Sequence, residues 1–155
     1  MSLALVRARA LEGLAAPEVT VEVHLANGLP AFSLVGLPDT EVREARDRVR
    51  AAIQSSQFEF PQRRITVNLA PADLPKEGGR FDLAIAVGIL AASGQLAMAK
   101  LAELEFCGEL SLTGDLRPVR GVLAVALAAA RSGRGLVLPA GNAAEAALAR
   151  RAELL

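Results

Sequence analysis

The feature that most constrains the fold is a strict alternation of apolar and polar side chains between positions 19 and 25. The apolar members are Val19, Val21, Val23 and Leu25, and the polar members between them are Thr20, Glu22 and His24. Successive side chains of a β-strand point to opposite faces, so this run predicts a strand with one wet face. The chain therefore contains a sheet.

The same patterns, read along the whole chain, predict further strands and four helices. The predicted strands cover 3–11 (with Arg7 and Arg9 on a wet face), 19–25, 29–37, 63–70, 105–112, a short partner ending at position 118, and 136–138. The predicted helices cover 40–55, 81–92, 119–131 and 143 to about 151. The order βββ-α-β-α-ββ-α-β-α is typical of an α/β (α+β) domain with a mixed sheet and helices packed on it.

Turn and cap residues complete this prediction. Asn27-Gly28 favours a tight hairpin, which makes the first three strands a meander. Asp39 or Thr40 is expected to cap the first helix, and Asn142 the last.

Composition narrows the class of protein. The 155 residues suit one domain, and the 17 basic and 17 acidic side chains cancel, so a surface for nucleic acid must be a local patch. Aromatic residues make up only 3%, which argues against a base-stacking platform. The single Cys107 fits a reducing cytosol, and with one histidine the chain offers no zinc site.

Neither a membrane nor a nucleotide is an expected partner of this segment. The longest charge-free stretch, 83–99, is shorter than a span of ~20 residues and contains glycine, serine and glutamine. The motif GxxxxGK[ST] is absent, and Gly78-Gly79-Arg80 lacks the GxGxxG spacing. We interpret His24 as a polar residue on a wet strand face, and Cys107 as a small buried hydrophobe.

Two long motifs carry a family resemblance. The first is RITVNLAPADLPKEGGRFD at 64–82, preceded by GLPD at 36–39 and VRAAI at 49–53, and the second is FCGELSLTGDLRPVRG at 106–121. Together they resemble the N-terminal region of the ComM group of bacterial competence-associated AAA+ ATPases, which are magnesium-chelatase-like proteins of the ChlI family. The resemblance covers nearly the whole chain.

The resemblance implies a fold and a function. This region is similar to the proteolytic domain of Lon and to the C-terminal domain of RadA. The family is implied to work as a cytoplasmic hexameric motor on branched DNA, with ATP and Mg²⁺ bound by a module outside this segment. Residues 1–155 are then expected to be one N-terminal domain of a longer protein, with no cofactor of its own and with DNA, the motor module and neighbouring subunits as partners.

The likeness to Lon also implies where a catalytic pair belongs. Lon-type proteases use a Ser-Lys dyad, and alignment without gaps puts Arg80 at the serine position and Leu123 at the lysine position. Arginine is neither a nucleophile nor a usable base, and leucine has no reactive group. We therefore expect no catalytic residue here, although Lys76 with Ser111 or Ser93 stays open as a residual peptidase pair.

The remaining charged residues suggest two groupings. Asp73, Glu77 and Asp82 are expected to form a structural charged cluster with Lys76 and Arg80, in which Lys76 is a solvated loop charge. The residues considered for nucleic-acid or partner binding are Arg43, Arg46, Arg50, Arg63, Arg64, Lys76 and Arg80. Because Glu44 and Asp47 interleave with the helical arginines, an ordinary solvated face with ion pairs is the favoured interpretation of that patch.

The sequence thus favours a non-catalytic binding or assembly domain of a ComM-like AAA+ protein. A Lon-like peptidase and a subunit module of a true magnesium chelatase are the alternatives.

Overall fold

The computed structural model describes residues 2–153, with side chains described as far as position 149. The strands are β1 (Ser2–Arg9), β2 (Glu18–Ala26), β3 (Ala31–Val35), β4 (Arg64–Ala70), β5 (Leu104–Phe106), β6 (Glu109–Leu110), β7 (Leu116–Arg117) and β8 (Gly135–Val137). The α-helices are α1 (Thr40–Arg43), α2 (Ala45–Ser55), α3 (Asp82–Ala92), α4 (Val122–Arg131) and α5 (Ala143–Glu153). Short 3-10 turns cover Leu101–Glu103 and Ala140–Asn142.

Six strands form one mixed sheet in the order β3-β4-β2-β1-β5-β8, and β6 pairs with β7 in a separate hairpin. The predicted α/β class with a mixed sheet is therefore confirmed. The single strand expected over 105–112 is instead divided into β5 and β6, because the backbone N–H of Cys107 turns to the carbonyl of Val137 and that of Gly108 turns to Arg80. Similarity to the Lon domain stays a prediction.

The predicted three-stranded meander is wrong. Strand β4 lies between β2 and β3, pairing antiparallel with β2 and parallel with β3. The physical reason is pairing length: β4 matches β2 over seven residues, from Thr20 to Ala26, whereas β3 offers only five. Asn27-Gly28 therefore starts a connection to the outer edge of the sheet instead of a tight hairpin.

The first predicted helix is observed with a break at Glu44, which separates α1 from α2. Asp39 caps α1, since its Oδ1 accepts a hydrogen bond from the backbone N–H of Val42 at 2.7 Å. One face of α1 and α2 is buried in the main core through Val42, Ala45, Val49, Ala52 and Ile53.

The main core lies between the sheet and the helices α2 and α3. Helix α3 rests on β1 and β2, and Gly88 allows this close approach, because a Cβ there would lie 2.5 Å from Cγ2 of Val23. As predicted, α3 is almost entirely buried. Among residues 2–153, no helix has the length and apolar content that crossing a membrane requires.

Helix α4 lies on the opposite face of the sheet, where it packs near β8 with α5 beside it. Cys107 is buried in a small apolar cluster below α4, as predicted, and burial raises the pKa of its thiol.

Arg9 is not on a wet face, contrary to expectation. It is 8% exposed, and its Nε and Nη2 donate to the carboxylate of Glu105 at 2.7 and 2.8 Å. The Nη1 atom donates to the carbonyl of Ala16, and Nη2 also reaches the hydroxyl of Ser132 at the end of α4. The helix thus covers the end of β1 and encloses this ion pair.

Asn142 does not cap α5 with its side chain. Its Oδ1 accepts from the backbone N–H of Val119 at 3.0 Å, and its Nδ2 donates to the carbonyl of Val119 at 2.9 Å. These two hydrogen bonds connect the segment before α4 to the start of α5.

Candidate functional site

Arg80 occupies the position where the Lon likeness expects a nucleophile. Only 7% of the residue is exposed, and its Nη2 donates to the carbonyl of Arg120 at 2.8 Å. Burial lowers the pKa of Arg80, yet the delocalised guanidinium of arginine stays protonated at neutral pH. Arg80 therefore serves as a hydrogen-bond donor in the interior.

Leu123 stands at the expected lysine position, on the first turn of α4. Its backbone N–H donates to Oε2 of Glu145 at 3.1 Å, which ties α4 to α5. The side chain is hydrocarbon and supplies no base. Neither expected dyad position carries a reactive group.

The interpretation of Lys76 as a solvated loop charge is wrong. Lys76 is 0% exposed, and its Nζ donates to the carbonyl of Pro71 within the same loop. Its backbone also bonds Leu37 and Asp39, which joins the loop to the start of α1. Burial lowers the pKa of Lys76, and the nearby Asp73 partly opposes this shift. The long side chain is enclosed by the loop and stabilises it through the hydrogen bond to Pro71.

The two serines considered as partners for Lys76 do not contact it. Ser93 donates from Oγ to the carbonyl of Leu90 at 3.2 Å. Ser111 shares a hydrogen bond with the hydroxyl of Thr113 at 2.9 Å. The amine of Lys76 and these hydroxyls are therefore engaged separately.

Asp82 belongs to a different pairing from the cluster that the sequence suggested. Its carboxylate accepts from Nε and Nη2 of Arg48 at 2.6 and 3.0 Å, and from the backbone N–H of Leu110 at 3.0 Å. Burial raises the pKa of Asp82, while the bonds from Arg48 and Leu110 oppose the shift. Asp82 joins α3 to α2 and bonds neither Lys76 nor Arg80, so it is not part of the expected cluster with them.

An open cleft of about 460 Å³ lies beside Arg80. Its charged lining residues are Asp39, Glu41, Glu77, Glu109, Arg80 and Arg120. Glu109 covers the backbone of Gly79, where a Cβ would come within 2.2 Å of its Oε1. Four carboxylates against two guanidinium groups make the cleft acidic, which disfavours a polyanion there. Within the described part of the chain, no three His, Cys, Asp or Glu side chains gather in a way that suits a metal ion.

The exposed side of α1 and α2 carries Arg43, Arg46 and Arg50, which we call the arginine surface. Arg46 donates to the carbonyls of Arg43 and Phe32 at 3.3 and 3.4 Å, and the guanidinium of Arg50 lies 4.7 Å from the centre of the Phe60 ring. Among the side chains of residues 2–149, none of the three forms an ion pair. The ion pairs expected with Glu44 and Asp47 are not formed, although both carboxylates remain nearby.

The other four residues considered for nucleic-acid or partner binding do not form one exposed surface with the three helical arginines. Lys76 and Arg80 are buried, so they are not available to a large ligand. Arg64 alternates with the buried Ile65 along β4 and therefore points to the sheet face opposite α2. Arg63 directly precedes β4 and is half-buried.

Sequence reasoning missed a shallow depression next to the arginine surface. It has a volume of about 750 Å³ and is lined by Gln54, Phe58, Glu59, Phe60, Pro61 and Gln62, and we call it the Phe58 depression. Phe58 is 40% exposed, an unusual position for one of only five aromatic residues. No sequence signal indicated it, because a lone phenylalanine after a helix is more often buried.

Comparisons with known proteins identify a family. The model of a family described as subunit ChlI of Mg-chelatase matches residues 21–142. The chain belongs to the ChlI family. Competence protein ComM of Haemophilus influenzae is 61% identical over 148 residues, which are 96% of this chain and 29% of that protein. Protein YifB of Escherichia coli is 55% identical over the same length, and Rv2897c of Mycobacterium tuberculosis is 45% identical over 140 residues.

The resemblance to ComM and to ChlI-type proteins is thus confirmed. This ChlI-family chain spans 29% of the length of its ComM relative.

Proposed function

We propose that this chain is a non-catalytic binding domain of a ComM-like, ChlI-family AAA+ ATPase and that its arginine surface contacts DNA. The proposal of a non-catalytic domain rests on the residues at the two positions where Lon-type proteases have their Ser-Lys dyad. Arg80 is hydrogen-bonded to a backbone carbonyl, and Leu123 has no reactive group. A hydrolytic reaction at this place needs a nucleophile and a base, and these side chains supply neither.

The arginine surface supports DNA as the ligand. Phosphates bind arginine through forked N–H donors, and the guanidinium groups of Arg43, Arg46 and Arg50 are exposed and without carboxylate partners in the described part of the chain. Glu44 and Asp47 weaken the local potential, so the expected affinity of this chain alone is modest and strongly salt-dependent.

The proposal places the chemistry of the whole protein elsewhere. In a longer cytoplasmic protein, a motor module would bind ATP and Mg²⁺ and assemble as a hexamer. This domain would then hold branched or single-stranded DNA, or contact neighbouring subunits, while the motor moves the DNA.

A subunit of a true magnesium chelatase is the second candidate, favoured by the description of the matching family. It is tested by whether the full-length protein supports Mg²⁺ insertion into a porphyrin together with the other chelatase subunits. Complete activity there would replace the DNA proposal.

The enzymatic part of the proposal is tested directly with purified chain. We expect no turnover of casein, no ATP hydrolysis and no labelling by a serine-reactive fluorophosphonate. Labelling that disappears in Ser111→Ala or Ser93→Ala would establish the peptidase alternative and overturn the proposal.

The DNA part is tested by fluorescence anisotropy with forked, single-stranded and duplex oligonucleotides at several salt concentrations. Arg46→Glu with Arg50→Glu is expected to weaken binding at least tenfold at low salt, about 1.4 kcal/mol, and to reduce the salt dependence. The matched control is Arg117→Glu with Arg131→Glu, which changes the same charge at exposed positions elsewhere. Equal losses in both variants would show a general charge effect and remove the arginine surface from the proposal.

A further inference from the structure

The Phe58 depression lies beside the arginine surface, because the Phe60 ring that lines it also contacts the guanidinium of Arg50. Gln54 follows Arg50 by one helical turn on α2, and Phe60, which lies beneath the guanidinium of Arg50, also lines the depression. A ligand whose phosphates reach Arg50 would therefore place its next chemical group in the depression.

The depression combines an exposed aromatic face with hydrogen-bonding groups. Phe58 is 40% exposed, while Phe60 is 7% exposed and packs against Phe32 with ring centres 5.8 Å apart. The amides of Gln54 and Gln62 are exposed and bond no protein atom among the described residues. Each amide offers both donors and an acceptor, which is the pattern that reads the edge of a nucleobase.

The position of Phe58 is fixed by the end of α2. Gln57 has a φ of +65°, and the backbone N–H groups of Gln57 and Phe58 donate to the carbonyls of Gln54 and Ile53, the two bonds of a Schellman cap. The next residue, Glu59, is held by Gln95, whose amide bonds both its N–H and its carbonyl, at 2.9 and 2.8 Å. The aromatic ring is thus presented by a backbone bonded on both sides.

We propose that the Phe58 depression receives an unpaired base of single-stranded DNA, stacked on Phe58, while Arg50 holds a neighbouring phosphate. This inference rests on the proposed DNA contact and adds a preference for strands with unpaired bases. Stacking on an aromatic ring is tolerant of base identity, because every base has a flat π-face. The carboxylate of Glu59, at the rim, can accept a hydrogen bond from a base amino group but repels phosphate, so the strand is expected to pass on the Arg50 side.

The first test compares affinities for labelled oligothymidylate and for a blunt duplex. Phe58→Leu keeps an apolar side chain but removes the flat ring, and we expect about a tenfold loss for the single strand with an unchanged affinity for the duplex. Leu14→Ala, at another exposed apolar position, is the control and is expected to bind both as the unsubstituted chain does.

The second test uses fluorescence. The chain contains no tryptophan, so Phe58→Trp introduces a single reporter that a stacked base should quench. Leu14→Trp is the matched control, and oligothymidylate should leave its emission unchanged.

The outcomes separate this inference from the proposed function. One outcome would show that the base site is wrong while the DNA contact stands. In it, Arg46→Glu with Arg50→Glu abolishes DNA binding, Phe58→Leu binds the single strand normally, and the fluorescence of Phe58→Trp is not quenched. If the unsubstituted chain binds neither oligonucleotide, both are wrong. A loss of subunit assembly in Phe58→Leu with unchanged DNA affinity would identify the depression as a protein contact and overturn the base site.

Discussion

Arg46 and Arg48 are two residues apart on helix α2, yet they belong to different regions of the molecule. Arg48 turns inward and holds the buried carboxylate of Asp82 with bonds of 2.6 and 3.0 Å. Arg46 lies on the arginine surface and bonds only backbone carbonyls. In the interior, Arg48 and Asp82 form a buried ion pair, because an unpaired buried charge is costly. On the arginine surface, the guanidinium groups have no carboxylate partner among the described side chains, so their positive charge is available to a polyanion.

Arg80, at the expected serine position, and Arg50 show the same difference between the interior and the surface. Arg80 is enclosed in the loop region with a backbone acceptor and lies beside an acidic cleft, whereas Arg50 is exposed above an aromatic ring. We therefore expect interior substitutions to change the free energy of unfolding, and surface substitutions to change DNA affinity.

The largest expected effect is the loss of the buried ion pair between Arg9 and Glu105. Glu105→Ala leaves the guanidinium of Arg9 buried with only Ala16 and Ser132 as acceptors, and should lower the free energy of unfolding by about 3–5 kcal/mol. Urea denaturation measures this. The control is Glu18→Ala, which breaks the more exposed contacts with Arg7 and Arg134 and should cost less than about 1 kcal/mol. Similar losses of unfolding free energy in Glu105→Ala and Glu18→Ala would show that the buried ion pair stabilises the fold no more than the exposed one.

The matched pair on α2 tests the comparison most directly. Arg48→Glu places a second carboxylate against Asp82 and should lower the free energy of unfolding by about 3 kcal/mol or more. Arg46→Glu should change that free energy by less than about 0.5 kcal/mol and weaken DNA binding. If Arg46→Glu proves as destabilising as Arg48→Glu, the division into an interior and a surface function is incorrect.

A smaller effect is expected at the end of α2, where Gln57 has a φ of +65°. Gln57→Gly relieves the left-handed strain and should raise the free energy of unfolding by about 0.5–1 kcal/mol. Ser56→Gly, at a residue with a φ of −89°, is the control and should not stabilise the chain. Thermal denaturation of the two variants distinguishes relief of strain from a general effect of glycine.

The smallest effect concerns the pH dependence that Lys76 contributes. Burial lowers the pKa of Lys76 in the folded state, so the folded chain releases this proton at a lower pH than the unfolded chain does. Between the two pKa values the unfolded chain binds more protons, and the free energy of unfolding rises with pH.

Lys76→Met should remove that alkaline rise, whereas Lys100→Met, at the other lysine of the chain, should keep it. The measurement is urea denaturation at a series of pH values from neutral to alkaline. An unchanged slope in Lys76→Met would show that the amine is hydrated in the folded state.

The sequence by itself determined the local elements and the chemical inventory. Alternation over 19–25 predicted β2, and Asp39 with the spacing of Val42, Ala45 and Val49 predicted the cap and the buried face of the first helical segment. The identities at positions 80 and 123 also follow from the sequence alone. These features depend on residues a few positions apart, and such short-range patterns are legible in one chain.

Only the tertiary structure decided which strand pairs with which and which charges are enclosed. The place of β4 between β2 and β3, the burial of Lys76, and the pairing of Arg9 with Glu105 all depend on groups that are distant along the chain or enclosed by packing. The exposure of Phe58 and the missing ion pairs of Arg43, Arg46 and Arg50 arise in the same way. Because the free energy of a charge or an aromatic ring depends on what surrounds it in space, residue type and spacing were insufficient to predict them.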